Sequence, residues 1–227
     1  TQAKTLFPYT TLFRSVALMV ETYLSPTFYE QLIRLKNTYP NLLICEQDTI
    51  YSENSELGLS EIANGSASVS YDFSLAQTIL ALDSDFLGLE GHSVKNARQF
   101  SEKRKVVDQS GTMNRLYSAE SSFSITGSNA DHRYTVSSSK IPDILLQLLK
   151  ELNALGVTLP NGLSQDLLPK SELSQALVKW IKIVAKDLSS QNGRACVVVG
   201  NKQPAWVHAL GFAVNFALGA VNLNVVD

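Results

Sequence analysis

The chain is poor in the residues that build cross-links and metal sites. It has two cysteines in 227 residues, Cys45 and Cys196, far apart and each inside an apolar, strand-like run. No Cys-x-x-Cys is present, so this segment alone cannot build an iron–sulfur or zinc site, and two buried free thiols are expected. His92, His132 and His208 have no ligand-spaced companions. There is no long run of one charge and the net charge is −2, which excludes the electrostatic footprint of a nucleic-acid or anionic-membrane binder. Repeats and low-complexity tracts are absent. The longest apolar stretch, Ala205 to Leu223, comes close to the roughly 20 residues of a membrane span. His208, Asn215 and Asn222 interrupt it and no Lys/Arg asymmetry flanks it, so a buried helix ending near Gly219 is expected.

What is present suits a globular chain. The 44% apolar and 18% charged content allows a sizeable core, and the length suits one or two domains. Residues Thr5 to Ser15, TLFPYTTLFRS, are what a common sequencing adapter encodes when translated. Residues 1–15 are therefore set aside as a non-native segment. Native sequence is expected upstream of Val16, and more beyond Asp227, which makes the chain an internal fragment.

Apolar runs at Val16–Val20, Leu42–Cys45, Thr78–Leu82, Arg115–Ala119 and Ala195–Val199 read as strands. Between them lie helical patterns. Ser25-Pro26 opens one, Ser52 to Asn64 and Val94 to Lys105 form two more, and strong amphipathic repeats cover Ile141–Leu155 and Leu173–Leu188. Strands alternating with helices of about 10–15 residues predict a parallel sheet in an α/β fold. Gly156 to Leu168, with Pro160 and Asn161-Gly162, lacks periodicity and reads as a linker. In such a sheet, ligands sit outside the carboxyl ends of the strands. That selects the loops Glu21–Ser25, Asp83–Gly91, Glu120–Asn129 and Gly200–Pro204.

Within Met113–Lys140 four blocks follow in order: Asn114-Arg-Leu-Tyr117, Glu120, Thr126-Gly127 and Ala130-Asp-His-Arg133. This order resembles the dinucleotide-type domain of molybdopterin oxidoreductases. It is most similar to the molybdopterin-oxidoreductase-like iron–sulfur subunits of bacterial alternative complex III. A second stretch, Gln203-Pro204, Val207-His-Ala-Leu210, Asn215 and Leu218-Gly219, is similar to the same subunits, so the resemblance covers nearly all of 16–227. It implies a Rossmann-like parallel sheet over 16–155, a linker at 156–170, and the start of a second α/β domain at 171–227.

The resemblance also implies a pocket. Asp83-Ser84-Asp85 matches a Gly-Ser-Asn loop that approaches the nucleotide half of the pterin cofactor in relatives. Glu120 matches an acid suited to ribose hydroxyls or a guanine edge, and Thr126, Gly200 and Gln203 complete a vestigial cofactor-binding set. Two departures disfavour molybdopterin here. The aspartates bring like charge toward a pyrophosphate, at about 4 kcal/mol for ~4 Å and an effective dielectric of about 20. The Asp-Pro-Arg order of relatives is Glu120-Ser121-Ser122 here, so the basic partner is missing. Asp83 and Asp85 alternatively cap the following turn through backbone amides. Asp131 and His132, adjacent on a strand, point to opposite faces and cannot readily form a dyad; Asp131 is expected near Arg133.

The expected role is thus part of an electron-transfer subunit of a quinol:acceptor oxidoreductase, with no catalytic or metal-binding residues in this segment. Iron–sulfur clusters are expected in the C-terminal part of the full chain. The partners implied are cytochrome c and quinol-oxidising membrane subunits, with peripheral attachment to the extracytoplasmic, periplasmic face of the bacterial inner membrane. Two rivals remain. One is an active molybdopterin enzyme of the polysulfide- or thiosulfate-reductase type. The other is a stand-alone nucleotide-binding α/β module, for which Glu21–Ser25 offers no Gly-x-Gly-x-x-Gly turn.

Overall fold

A computed structural model describes residues 16–21, 25–47, 53–63, 65, 68–105, 111–160, 169, 171–221 and 225–226. The chain is α/β with parallel sheets, and it divides into two compact units, Thr1–Tyr51 and Ser52–Asp227.

The first unit is a βαβ turn. Strand β1 (Val16–Val20) and strand β2 (Leu42–Glu46) pair in parallel from Val16↔Leu42 to Val20↔Glu46. Helix α1 (Pro26–Thr38) connects them. Ser25 caps it by accepting the Phe28 N–H at 3.3 Å, and Pro26 opens the first turn without a wasted donor. Leu32 and Leu42 are its buried apolar residues, and Cys45 is a half-buried free thiol.

The second unit is built on a four-stranded parallel sheet. Its strands are β3 (Thr78–Leu82), β4 (Arg115–Glu120), β5 (His132–Thr135) and β6 (Ala195–Val199), in the order β5-β4-β3-β6. All five residues of β3 and of β6 are buried, because helices cover both faces of the sheet and either parity of side chain must be apolar. Leu80, Leu82, Tyr117, Val197 and Val199 point to one side. There they meet Ile144, Leu145, Leu148 and Leu152 of α5 (Ile141–Ala154) and Leu177, Ile181, Val184 and Leu188 of α6 (Gln175–Ser190). In this unit α2 (Glu53–Ala63) and α3 (Ser93–Glu102) precede β4. Ile79, Ala81, Leu116, Cys196 and Val198 point the other way, onto Phe73, Phe86 and Phe100, the last from α3. Burying each large apolar side chain of these layers stabilises by about 1.5–3 kcal/mol.

The expected division at residues 156–170 is corrected here. Beyond that segment β6 does not open a second domain: it pairs with β3 from Thr78↔Ala195 to Leu82↔Val199. The α5 and α6 layer buries the same sheet face on both sides of the segment, so a shared core layer joins the two stretches. Outer strand β6 is closed by a side chain. Asn215, from the helix Ala205–Ala217, accepts the Val197 N–H at 2.7 Å and donates to the Val197 carbonyl at 2.9 Å. It thereby supplies the pair of hydrogen bonds that another strand would offer, which removes a sticky edge. No helix among the described residues is long and apolar enough to cross a membrane.

Candidate functional site

The site follows from register. Strands β3, β4 and β6 run in step, with Leu82 beside both Ala119 and Val199. The next residues, Asp83, Glu120 and Gly200, therefore leave the sheet side by side. The chain moves outward from β3 to β4 and β5 and returns to β6 on the opposite flank. This makes the β3/β6 junction the switch point where an open α/β sheet places its ligands. The Gly200 N–H bonds the Leu82 carbonyl at 2.9 Å, and a Cβ on Gly200 would run into the Asp83 carbonyl. Only glycine permits that approach.

All six residues expected to contact a cofactor come together at this edge, but they face one another. Asp83 has a left-handed backbone, φ 54°, unusual outside glycine. Its Oδ1 accepts the Ser121 N–H and hydroxyl, both at 3.2 Å, while Oδ2 takes the Ser138 hydroxyl and the Gln203 amide at 3.3 Å. Asp85 accepts the Thr126 N–H at 2.9 Å and hydroxyl at 3.0 Å, and the Leu89 N–H at 3.2 Å. The aspartates thus bond backbone amides, with Asp85 closing its own turn and both reaching across to the loop after β4.

Glu120 is 3% exposed and takes the Ser124 hydroxyl at 2.5 Å. It also has a basic partner, which corrects the expectation that none remained. Arg133 on β5 meets it at 2.5 Å and lies over the Phe123 ring at 4.8 Å. Beneath the carboxylate lies Gly127 in α4 (Ile125–Ser128), where any Cβ would overlap it.

Three members of the network were not foreseen. Glu90 accepts the Ser84 hydroxyl at 2.8 Å, the Asp85 N–H at 3.2 Å and the Asn201 N–H at 3.2 Å, tying the β3 loop to the β6 loop. Burial raises its carboxyl above the usual range, against the pull of those hydrogen bonds. Ser138 and Arg133 are the others. Sequence separations of 55 for Asp83–Ser138 and 13 for Glu120–Arg133 gave no local signal of either contact.

Asp131 does not sit with Arg133. Its carboxylate receives Arg104 in a two-pronged pair at 2.9 and 2.6 Å, plus the Leu116 N–H at 2.8 Å. His132 stacks on Tyr117 with centroids 5.0 Å apart, so Asp131 and His132 serve separate partners, as their alternation on the strand predicted. His208 departs from a fully satisfied core histidine. The backbone of Gln203 and Gly200 lies near its imidazole and favours the protonated form, yet Nε2 has no partner among the described residues. Burial drives it down to about 4, against the opposing pull of that backbone. Of the first expected loop, residues 22–24 lie outside the described residues.

Chemically, the edge is a closed polar cluster. A pyrophosphate needs free N–H and O–H donors. The amides of Ser121, Thr126 and Asn201 and the hydroxyls of Ser84, Ser121, Ser124, Thr126 and Ser138 already donate to the chain's own carboxylates. These residues as arranged do not fit an anionic pterin dinucleotide. No protein-family model matches the chain, and no curated protein matches it significantly. Among the described residues, no three His, Cys, Asp or Glu side chains converge to hold a metal ion.

Proposed function

We propose that this chain is part of an electron-transfer subunit of a quinol:acceptor oxidoreductase of the alternative complex III type. Its α/β region acts as a cofactor-free scaffold without catalytic residues of its own. The observation that supports the scaffold role is the self-satisfied carboxyl edge, where Asp83, Asp85, Glu90 and Glu120 take up donors that a cofactor phosphate would need. The ordered blocks from Asn114 to Arg133 and from Gln203 to Gly219 support the family. On this proposal iron–sulfur clusters lie in the rest of the full chain. Electrons from quinol reach a cytochrome c or oxidase partner through them, and the subunit sits peripherally on the periplasmic face of the inner membrane.

The test is elemental analysis of the full protein purified with its partner subunits, alongside assay of released pterin. Iron without molybdenum, tungsten or pterin is expected. Stoichiometric molybdenum or tungsten with pterin would overturn the scaffold role and make Asp83, Asp85 and Glu120 cofactor contacts. Absence of iron would overturn the electron-transfer role.

A further inference from the structure

The opposite end of the same sheet has the reverse chemistry. A cleft of about 320 Å³ opens at the amino ends of β3, β4 and β6 and against the end of α6. Two guanidiniums, Arg115 and Arg194, line it against a single carboxylate, Asp187. One oxygen of the Asp187 carboxylate is already committed: Oδ2 accepts the Tyr117 hydroxyl at 2.7 Å and pairs with Arg115. Burial alone would push its carboxyl up, but the hydrogen bonds from Tyr117 and Arg115 bring it below the usual range.

The end of α6 brings a partial negative charge to the same place, and several of the carbonyls there are already taken up. Ser189 donates to Lys186, Ser190 to Asp187 at 2.8 Å, the Gln191 N–H to Leu188 at 3.1 Å, and the Arg194 N–H to Gln191 at 2.8 Å. Donors remain in surplus. Arg194 forms no ion pair among the described residues. Its backbone is pinned to the rim, since its carbonyl accepts the Gln77 N–H at 2.7 Å and the Thr78 N–H at 3.3 Å. Thr78, Thr112 and Gln191 line the same space.

We infer that this amino-edge cleft binds a small phosphate-bearing anion, with the Arg194 guanidinium as its principal clamp and Arg115 as the second charge. A guanidinium offers a planar fork that matches phosphate oxygens two at a time. The volume lies at the lower end of the range for small-molecule sites, room for a phosphate ester or a pyrophosphate group. This inference is independent of the proposed electron-transfer role.

The test titrates pyrophosphate into the full chain by calorimetry, with amide shifts followed by NMR. Saturable binding is expected, with shifts at Gln77, Thr78, Thr112 and Arg194. Arg194→Ala should weaken it at least tenfold, and Arg194→Lys by about threefold, because charge is kept and the fork is lost. Both variants should fold, since the Arg194 side chain has no hydrogen-bond or ion-pair partner among the described residues. Arg98→Ala, which changes an exposed arginine on the Ser93–Glu102 helix, should leave binding unchanged. Binding absent at millimolar pyrophosphate would overturn the inference. So would equal losses from Arg98→Ala and Arg194→Ala, or shifts confined to Ser121 and Thr126 at the carboxyl edge.

Discussion

The two ends of the four-stranded sheet solve opposite problems with the same kinds of group. At the carboxyl edge, four carboxylates meet amides and hydroxyls and leave few donors free. At the amino edge, several acceptors are taken up locally and an arginine is left over. The fold rule that ligands sit at the carboxyl ends describes where backbone geometry gathers loops, whereas occupancy depends on which donors remain unspent. Here the rule finds a gathering of loops that the chain fills itself.

The comparison breaks most readily at Glu120. Its carboxylate is buried and has Arg133 and Ser124 as partners, so removing it strands a partly buried guanidinium. Glu120→Ala should cost about 4 kcal/mol in chemical denaturation at pH 7. A loss under about 1 kcal/mol would mean the cluster is a solvated surface network rather than a structural filling.

His208 tests the same edge by acid. Its folded value of about 4 lies below the usual 6.5, so between those pH values the unfolded chain takes a proton that the folded chain refuses. Stability is therefore retained above pH 6.5 and falls as pH drops toward 4, by about 2–3 kcal/mol in all. Glu90, shifted upward, opposes part of this slope, so the readout is the difference between the chain and His208→Phe. The variant should lack the His208 contribution to the slope; equal slopes in the two would show that His208 titrates normally.

Much of this architecture is legible locally. The apolar runs at Thr78–Leu82 and Ala195–Val199 and the helical repeats at Ile141–Leu152 and Leu177–Leu188 mark elements that bury a face, because burial imposes a period on the sequence. Strand order is not periodic information. Nothing within Ala195–Val199 says that it returns to β3, so the segment itself offered nothing against the second domain that the resemblance implied. The candidate site was legible as a set of loops, since Asp83, Glu120 and Gly200 each follow a strand. The pairings of Arg133 with Glu120 and Arg104 with Asp131 were not, because register and helix packing, not sequence adjacency, bring those charges together.

Gly127 asks whether the filling is steric as well as electrostatic. A Cβ there overlaps the Glu120 carboxylate, so Gly127→Ala should cost about 2 kcal/mol by overpacking. In a Glu120→Ala background the clash has no partner, and the added cost should fall below about 0.5 kcal/mol, a coupling that a double-mutant cycle measures. Additive costs would place the strain in the backbone of α4 instead.

The amino edge should respond most weakly, and Tyr117 shows why. Its ring is buried in the core, but its hydroxyl reaches Asp187 at 2.7 Å beside an Arg115 side chain that is 52% exposed. Tyr117→Phe removes one hydrogen bond and leaves Asp187 its Arg115 partner, so a loss of about 1 kcal/mol is expected at pH 7. Burial first, and the Asp187 carboxylate second, push the phenol up to about 12, against the opposing pull of Arg115. A raised folded value means that the advantage of tyrosine is complete below pH 10. It shrinks as pH rises from 10 toward 12, where the unfolded phenol ionises first. Two pKa units outweigh that 1 kcal/mol, so the stabilities of the two proteins should meet and then cross within that window. If the gap stays constant, Tyr117 ionises alike in both states and its bond to Asp187 does not persist in solution. The amino edge would then have one more open acceptor, and the donor surplus that separates it from the carboxyl edge would narrow.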